Sequence, residues 1–242
     1  MRVIGLGRAG GSLAGALATA GWDVLEPLGR GDDVSTAAVG ADLVVIATPD
    51  AVIGEVAAAV EPVDGTVVAH LAGSLGLEVL DRHRRRAGLH PLVSLPSPEI
   101  GGPRLAAGAW FAVAGDPLVH QVVADLNGHA FEVADEDRAA YHAAACIAAN
   151  HLVALLGQVE RVAAGVGVPF DAYLDLARDT LDNVAALGAG EALTGPAARG
   201  DEATITRHRV ALPPSERPAY DALAAEARRL ARQSQERRPP RP

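Results

Sequence analysis

The sequence predicts an α/β protein, with an N-terminal doubly wound parallel sheet followed by an all-helical C-terminal region. Two observations support this fold class. Segments typical of strands and helices alternate from residue 2 to about residue 133, which is the pattern of a parallel sheet covered by helices. From the acidic stretch Asp135 to Asp137 onwards, nearly everything is typical of helices.

The first turn of the chain is rich in glycine. Gly5, Gly7 and Gly10 fit the spacing G-x-G-x-x-G, between an apolar strand at residues 2–6 and a helix at residues 12–20. In this arrangement the first glycine permits a tight turn, the second lets a pyrophosphate approach the backbone, and the third lets the helix pack on the strand. The helix N-terminus also attracts phosphate. We therefore predict a dinucleotide-binding Rossmann domain, the alternative being an ordinary glycine turn.

The end of the next predicted strand, at residues 22–28, selects between the two nicotinamide cofactors. An acidic residue there would bind the ribose 2′-hydroxyl of NAD, whereas the guanidinium of Arg30 suits the 2′-phosphate of NADP. Arg30 therefore favours NADP; alternatively it is a solvated loop residue. Asp32 and Asp33 are candidates to cap a following helix. The predicted cofactor-binding residues are Gly5, Leu6, Gly7, Arg8, Ala9, Gly10, Arg30, Thr48 and Pro49.

Further strands are expected at residues 41–48, 66–71, 89–92, 109–114 and 130–133. The continuous apolar run at 41–48 is typical of a strand buried on both faces. A helix is predicted at residues 77–87, with the arginine-rich stretch 82–86 in its last turns, facing water. The domains are predicted as a dinucleotide-binding domain at 1–136, a helical substrate and dimerisation domain at 137–232, and a disordered tail at 233–242.

Candidate catalytic residues come from both predicted domains. His70, Ser74 and His90 lie at or just after predicted strand ends, where ligands of open α/β sheets bind. His142, Cys146 and Asn150 share one helix face, because spacings of four and eight residues return to nearly the same direction. We predict that His142 donates a proton to a carbonyl or imine; alternatively it is a structural histidine at an interface.

In the predicted catalytic set, Asn150, Ser74 and His90 orient the substrate and Arg199 binds a substrate carboxylate. An internal salt bridge is the alternative for Arg199. Asp201, close by, is predicted to be the N-cap of the helix that begins at Glu202. The histidine spacings suggest no metal site.

Composition narrows the possible functions. The formal net charge of −9 disfavours a nucleic-acid partner. Cys146 is the only cysteine, so an intramolecular disulfide is impossible, and we expect a cytoplasmic protein with no membrane span and no signal peptide. The absence of lysine excludes Schiff-base chemistry and any catalytic lysine.

The chain resembles a family that joins a Rossmann-like NADP-oxidoreductase domain to a C-terminal domain of unknown function, number 2520. The resemblance rests on the glycine turn and on four other stretches, at residues 70–74, 89–92, 141–152 and 193–201. More distantly, the layout is similar to pyrroline-5-carboxylate reductase, prephenate dehydrogenase, and the 6-phosphogluconate and hydroxyacid dehydrogenases. The resemblance implies an NADP-linked reductase that is dimeric through its helical domain.

Three functions follow from these observations. The first is an NADP(H)-dependent oxidoreductase that reduces a C=O or C=N bond of a small, carboxylated metabolite in a cleft between the domains. The second is a 2-keto acid reductase of the ketopantoate type. The third is an NADP-binding sensor or scaffold without catalysis, which the missing lysine keeps open because hydroxyacid dehydrogenases and ketopantoate reductase use a lysine in the second domain.

Overall fold

A computed structural model describes residues 1–237 of the chain. The chain divides into two compact units, Met1–Asn150 and a unit that begins at His151. This division falls inside a helical run that begins at Asp135, whereas the sequence-based boundary, after residue 136, comes close to the start of that run. By length and composition alone, the run Asp135–Val166 is apolar enough to cross a membrane.

The first unit contains a six-stranded sheet whose strands follow one another in chain order. Its strands are β1 (Arg2–Ile4), β2 (Leu43–Ile46), β3 (Val67–His70), β4 (Arg86–Pro91), β5 (Trp110–Gly115) and β6 (His129–Glu132). All neighbouring pairs are parallel except β4 and β5, which pair antiparallel. The predicted α/β class is confirmed, with a mostly parallel sheet rather than a wholly parallel one.

Helices cover both faces of this sheet. They are α1 (Arg8–Thr19), α2 (Ile53–Ala59, preceded by a 3-10 turn at Asp50–Val52), α3 (Pro98–Ala106), α4 (Leu118–Asp125) and α5 (Arg138–Cys146, preceded by a 3-10 turn at Asp135–Asp137). A π-helix, Ile147–His151, continues from α5. A further 3-10 helix, Leu77–Leu80, lies between β3 and β4.

The core of the first unit lies on the two faces of the sheet, and β2 shows why. Leu43 and Val45 belong to one apolar cluster, with Leu13, while Val44 and Ile46 belong to the cluster on the other face. All four β2 residues are fully buried. The prediction that residues 41–48 form a strand buried on both faces is therefore confirmed in its central four residues.

The prediction of a strand at residues 22–28 is wrong, because this segment does not form a regular strand. The segment lies beside β1, but its only bridge joins Leu28 to Ile4. Its N–H groups at Leu25 and Leu28 donate to the carbonyls of Met1 and Val3, both at 2.9 Å. Pro27 has no N–H group and cannot continue a regular ladder. The segment still leads the chain to the edge of β1, as a second strand would.

The predicted helix at residues 77–87 is also wrong. Only Leu77–Leu80 are helical, and Arg86 already begins β4 because Ala87 and Leu89 are needed in the core. The arginine-rich stretch is therefore not a solvated helix face. Arg85 forms two hydrogen bonds with Asp116, at 2.8 and 3.0 Å, and fixes the start of β4 next to the end of β5.

Helix α3 was not predicted from the sequence. Gly101, Gly102 and Pro103 are poor helix formers, and they obscure the pattern. The glycines are explained by packing, since α3 lies against α1. A Cβ atom at Gly101 would stand 2.1 Å from the Ser12 Oγ atom, so only glycine permits this approach.

The second unit is helical in its described part, as predicted. Its helices are α6 (Leu152–Val166), α7 (Phe170–Leu187), α8 (Ala189–Ala192), α9 (Pro196–Arg199), α10 (Glu202–Ala211) and α11 (Arg217–Arg237, preceded by a 3-10 turn at Pro214–Glu216). Asp201 is the N-cap of α10, accepting a hydrogen bond from the Thr204 N–H at 3.0 Å, as predicted. The predicted disordered tail is wrong for residues 233–237, which are helical, while residues 238–242 lie outside the described residues.

Candidate functional site

The turn between β1 and α1 has the geometry of a dinucleotide-binding loop. Gly5 has a φ of +98°, which favours glycine, and a Cβ atom there would stand 2.9 Å from the Ala47 carbonyl oxygen. A Cβ atom at Gly10 would stand 2.0 Å from the Gly5 carbonyl oxygen, so α1 packs on the turn only with glycine. Gly7 is different, because no atom lies within 4 Å of the position of its Cβ. The backbone at Gly7 therefore faces open space.

A cavity of about 650 Å³ opens in front of this turn. It is lined by Gly5, Leu6 and Gly7 from the turn, by Thr48 and Pro49 after β2, and by the loop 29–32, which includes Arg30. Asp32 closes that loop, because its carboxylate accepts a hydrogen bond from the Gly29 N–H at 2.7 Å. No helix follows at residues 33–40, so the expectation that Asp32 or Asp33 caps one is wrong.

The residues around this cavity fit a dinucleotide. Arg8, Ala9 and Gly10 form the first turn of α1, whose N-cap Gly7 provides no side chain to bind the free N–H groups. Those groups remain available to a pyrophosphate. The Thr48 Oγ1 atom, on the cavity wall, is buried without a hydrogen-bond partner among the described residues. A hydroxyl in that state is suited to a polar ligand group.

A second cavity, of about 480 Å³, lies beyond the carboxyl end of β4. It is formed by the segment 90–94 and by one side of α5 and the π-helix. Three of the predicted site residues line it: His90, His142 and Asn150. Cys146 also lines it, with its Sγ atom 3.9 Å from the His142 Nε2 atom. The helix face predicted from residue spacing is thus the wall of a cavity.

The polar side chains of this second cavity are held close together. The His90 Nδ1 atom lies 2.6 Å from the Tyr141 hydroxyl oxygen, a short hydrogen bond. The rings of His90 and His142 meet edge to face, with centroids 5.7 Å apart. Gly73 lies beneath both rings, since a Cβ atom there would stand 2.6 Å from His142 Cδ2 and 2.8 Å from His90 Nε2.

Burial shifts the pKa values of His90 and Tyr141 in the directions that keep both side chains uncharged. Burial, aided by the nearby His142 ring and the Arg138 charge, lowers the pKa of His90 to about 4. Burial raises the pKa of the Tyr141 phenol to about 12, against a smaller opposing effect of Arg138. At neutral pH the cavity therefore offers an uncharged imidazole joined to an uncharged phenol.

Arg138, at the start of α5, is the largest fully buried side chain of the described chain. Its Nε atom donates to the Asp135 carboxylate at 3.0 Å, but its Nη1 and Nη2 atoms have no partner among the described residues. The guanidinium lies over Gly88 of β4, where a Cβ atom would be only 3.2 Å from Nη2. A buried cation with unpaired donors is costly, so a functional explanation is needed.

Two other candidates from the strand ends make structural contacts. The His70 Nδ1 atom accepts a hydrogen bond from the Ala72 N–H at 3.2 Å, so its Nε2–H donates to the Gly76 carbonyl, also at 3.2 Å. This buried ring fixes the turn after β3. Ser74 donates to the Asp50 carboxylate at 3.2 Å and is not among the side chains that line either cavity of the first unit.

Arg199 belongs to the second unit, where it is the exposed last residue of α9. It forms no ion pair with any described residue, so the alternative of an internal salt bridge has no support in this part of the chain. Its role as a carboxylate anchor stays a prediction.

Sequence reasoning missed Tyr141 and Arg138. Tyr141 is adjacent to His142 in the chain, but a one-residue step turns 100° around a helix, and the search for one face excluded it. The π-helix that follows α5 was not predicted either, although such bulges are common at functional sites. A tyrosine in a chain with only three tyrosines is the signal that was available.

The fold and the glycine turn define the class: the chain has a Rossmann-type α/β architecture. Residues 111–227 match the profile of the family described as a domain of unknown function, DUF2520. The expected resemblance is thereby confirmed. No curated protein matches the chain in sequence.

Solved structures share the fold over nearly the whole chain. A candidate NADP oxidoreductase from Bacteroides fragilis is 19% identical, with a TM-score of 0.78, over 94% of this chain and 97% of that one. A reductive aminase from Aspergillus terreus, in complex with NADPH and ethyl levulinate, is 14% identical, with a TM-score of 0.72, over 98% of each chain. Pyrroline carboxylate reductase from Plasmodium falciparum, with NADP bound, is 14% identical, with a TM-score of 0.59, over 95% and 97%.

Proposed function

We propose that the protein is an NADP(H)-dependent oxidoreductase that reduces a C=O or C=N bond of a small, carboxylated metabolite. The observation that carries this proposal is the position of the two first-unit cavities, which both open beyond the carboxyl ends of parallel strands. That edge is where ligands of such sheets bind. NADP-linked structural neighbours with the same fold add support.

The first cavity is assigned to the adenosine phosphates of the cofactor. The turn at Gly5–Gly10 and the N-terminus of α1 would bind the pyrophosphate, and Arg30 would bind the 2′-phosphate with its planar guanidinium. Thr48 and Pro49, after β2, would contact the part of the cofactor that continues towards β3 and β4. NADPH supplies the hydride for reduction when it is bound.

The second cavity is assigned to the substrate. His90, His142 and Asn150 can hydrogen-bond a carbonyl or imine and its neighbouring groups, and the sequence assigns the proton donor's role to His142. The alanines of the helix wall leave room for a small molecule. No arginine is among the described residues that line this cavity, and the binding of the substrate carboxylate by Arg199 stays a proposal from the sequence.

Cofactor titration tests the first part of the proposal. We expect the nicotinamide fluorescence of NADPH to saturate at a lower concentration than that of NADH. In Arg30→Ala the preference should fall about tenfold to a hundredfold, the usual effect of a lost charge-assisted hydrogen bond. Arg104→Ala, on α3 and outside the cavity lining, is the matched control. Tighter binding of NADH than of NADPH by the unaltered protein would contradict the assignment of Arg30.

A substrate panel tests the second part. We expect NADPH consumption with at least one keto acid or cyclic imine, and a weaker apparent affinity for it in Arg199→Ala. Binding of NADPH with no turnover across the panel would instead support a sensor or scaffold.

We also propose that the protein forms a homodimer through its helical unit. Among the described residues, eight of the eighteen exposed large apolar side chains lie between Val153 and Leu187, on α6, α7 and their connection. A soluble monomer rarely exposes so many apolar side chains on neighbouring segments. A second copy of the chain is the partner that would cover them.

A further inference from the structure

We propose that Tyr141 is the catalytic proton donor of the second cavity, held in place by His90 and supported by the buried charge of Arg138. This inference rests on the proposed reduction and replaces the assignment of that role to His142. Three observations support it: a short hydrogen bond, an imidazole with one free nitrogen, and a buried guanidinium whose two Nη atoms have no partner among the described residues.

Tyr141 is fixed more firmly than the other polar groups of the cavity. Its hydroxyl oxygen lies 2.6 Å from His90 Nδ1, and its ring meets the rings of His90 and Phe131 edge to face, with centroids 5.5 and 5.8 Å apart. The residue also lines the cavity. By contrast, the His142 imidazole has only the 3.9 Å contact with Cys146 as a polar contact among described side chains. A catalytic acid must be held in one position, which favours the phenol.

The hydrogen bond between His90 and Tyr141 can form in two ways. If the phenol donates to Nδ1, its only hydrogen is used, and His90 Nε2–H remains a donor without a partner in the described chain. If Nδ1–H donates to the phenol oxygen, the hydroxyl hydrogen is free to point into the cavity, and Nε2 is only an unpaired acceptor. His90 Nε2 is not among the buried side-chain atoms that lack a partner, so water or a ligand in the cavity can reach it in either arrangement. Only the second arrangement leaves the phenol hydrogen free for transfer to a substrate. The second arrangement, with His90 as the Nδ1–H tautomer, is the one we assign.

The buried guanidinium of Arg138, which is bonded to Asp135 only through Nε, explains how Tyr141 can give up its proton. Arg138 precedes Tyr141 by three residues on α5, so both side chains leave the same side of the helix. Its charge favours the phenolate form of Tyr141 and disfavours the imidazolium form of His90. The charge of Arg138, whose Nη1 and Nη2 atoms have no partner among the described residues, helps to stabilise the negative charge that appears when the proton leaves.

The charged and titratable groups that act on His90 come from α5, from β3 and from the turn after β2. They are His142 and Arg138 on α5, His70 at the end of β3, and Asp50 after β2. Of these, only Asp50 favours the imidazolium form, and its carboxylate also accepts the hydrogen bond from Ser74. His90 therefore stays neutral through the physiological range, and it can donate Nδ1–H to the phenol throughout.

In the proposed step a proton moves from the Tyr141 hydroxyl to the substrate. As the carbonyl carbon is reduced, electrons move to the carbonyl oxygen, or to the nitrogen of an imine. The O–H bond of Tyr141 breaks and a new O–H or N–H bond forms on the substrate. Tyr141 is left as a phenolate, which accepts the hydrogen bond from His90 and lies near the charge of Arg138. It takes a proton from water before the next cycle.

Kinetics with matched variants test the inference. In Tyr141→Phe the ring contacts remain and only the hydroxyl is lost, so we expect turnover to fall about 10²- to 10⁴-fold with NADPH binding unchanged. Tyr173→Phe, on α7 of the second unit, is the matched control and should turn over normally. His142→Ala should reduce turnover less than Tyr141→Phe does. Normal turnover by Tyr141→Phe would overturn the inference and leave the proposed reductase intact.

A measurement without substrate tests the same inference. In ¹⁵N NMR spectra of the folded protein at pH 7, His90 should carry its proton on Nδ1, and in Tyr141→Phe this preference should be lost. In Arg138→Met the pKa of His90 should rise, while in Arg138→Lys, which keeps the charge, it should stay low. A proton on Nε2 in the unaltered protein would overturn the assignment, even if no substrate had been found.

Discussion

Gly73 shows how one residue sets the geometry of the candidate site. It is buried, and the His90 and His142 rings both lie against it, at distances that leave no space for a side chain. The two imidazoles therefore converge because the residue between them has no Cβ atom. A glycine in the turn after β3 is thus a requirement of the site and not of the turn alone.

We predict that Gly73→Ala loses stability and function together. The added methyl group would stand 2.6 Å from His142 and 2.8 Å from His90, so at least one ring must move. Overpacking of this kind costs about 1–3 kcal/mol in the free energy of unfolding. Gly15→Ala, in α1, is the control: no atom lies within 4 Å of its Cβ position, and it should be neutral or slightly stabilising. Denaturant titration of both variants measures the difference, and equal stabilities would contradict it.

A second prediction concerns how the stability of the fold depends on pH through His90. The folded-state pKa of His90 is about 4, below the ordinary value of 6.5, so the unfolded chain binds a proton that the folded chain rejects. This stability is fully present above pH 6.5 and is lost as the pH falls towards 4. The loss is at most about 3 kcal/mol, from 1.36 kcal/mol for each pH unit.

The variant His90→Gln isolates this effect, because its carboxylates titrate as they do in the unaltered protein. The difference in unfolding free energy between the two proteins, from denaturant titrations at pH 7, 5.5 and 4, should shrink by up to that amount. A difference that does not change with pH would show that the pKa of His90 is not lowered.

The residues of the site were partly predictable. His142 and Asn150 were found because the helical repeat puts them on one face, and that face lines a cavity. Tyr141 was not found, since its importance comes from a hydrogen bond to His90, 51 residues earlier in the chain. Arg138 was missed for the same reason: the sequence gives no sign that it is buried against Gly88 of β4. Contacts distant in sequence are not visible in a local pattern.

Strand β1, the glycine turn and helix α1, together residues 2–19, form one structural motif. Gly5 is required by its φ of +98° and by the nearby Ala47 carbonyl oxygen, and Gly10 by the Gly5 carbonyl oxygen, whereas no atom lies within 4 Å of the Cβ position of Gly7. The requirement that we assign to Gly7 is the approach of the proposed cofactor's pyrophosphate to the backbone. Two glycines of the motif are therefore required by the fold and one is not, and the sequence pattern alone does not show this difference.

This separation predicts opposite results for two alanine variants. Gly10→Ala should destabilise the fold, because its Cβ atom would overlap the Gly5 carbonyl oxygen. Gly7→Ala should keep the stability of the unaltered protein but bind NADPH at least tenfold more weakly, since its methyl group would occupy the space assigned to the pyrophosphate. Thermal melts with and without NADPH distinguish the two. A Gly7→Ala protein that NADPH stabilises as well as the unaltered one would refute the cofactor assignment.

The mispredicted elements have physical causes. Residues 22–28 have the composition of a strand, but Pro27 interrupts the ladder beside β1. Residues 77–87 contain good helix formers, but Arg85 is paired with Asp116 and the next residues are used by β4. Tertiary contacts outweighed local propensity in the second case. Elements with a strong local signal, such as the continuous apolar run that forms β2 at Leu43–Ile46, were predicted correctly.

The second unit exposes an apolar surface that a single copy of the chain leaves uncovered. Val153, on α6, is 71% exposed and Leu176, on α7, is 60% exposed, although α7 also carries exposed charges such as Asp175 and Arg178. Hydrophobic periodicity predicts which residues avoid water, but it does not say whether the chain itself or another copy covers them. The oligomeric state of the protein in solution distinguishes the two.

We expect the unaltered protein to sediment as a dimer at micromolar concentration, because burial of these side chains is favourable by about 25 cal/mol per Å². Val153→Asp and Leu176→Asp each place a charge on the proposed interface and should shift the protein towards the monomer without changing its helical content. Val210→Asp is the matched control, since Val210 is 74% exposed on α10, outside the apolar region. Sedimentation velocity over a range of concentrations measures the outcome. An unaltered protein that stays monomeric throughout, or a Val153→Asp protein that dimerises as strongly, would contradict the homodimer, and the exposed surface would then need another partner.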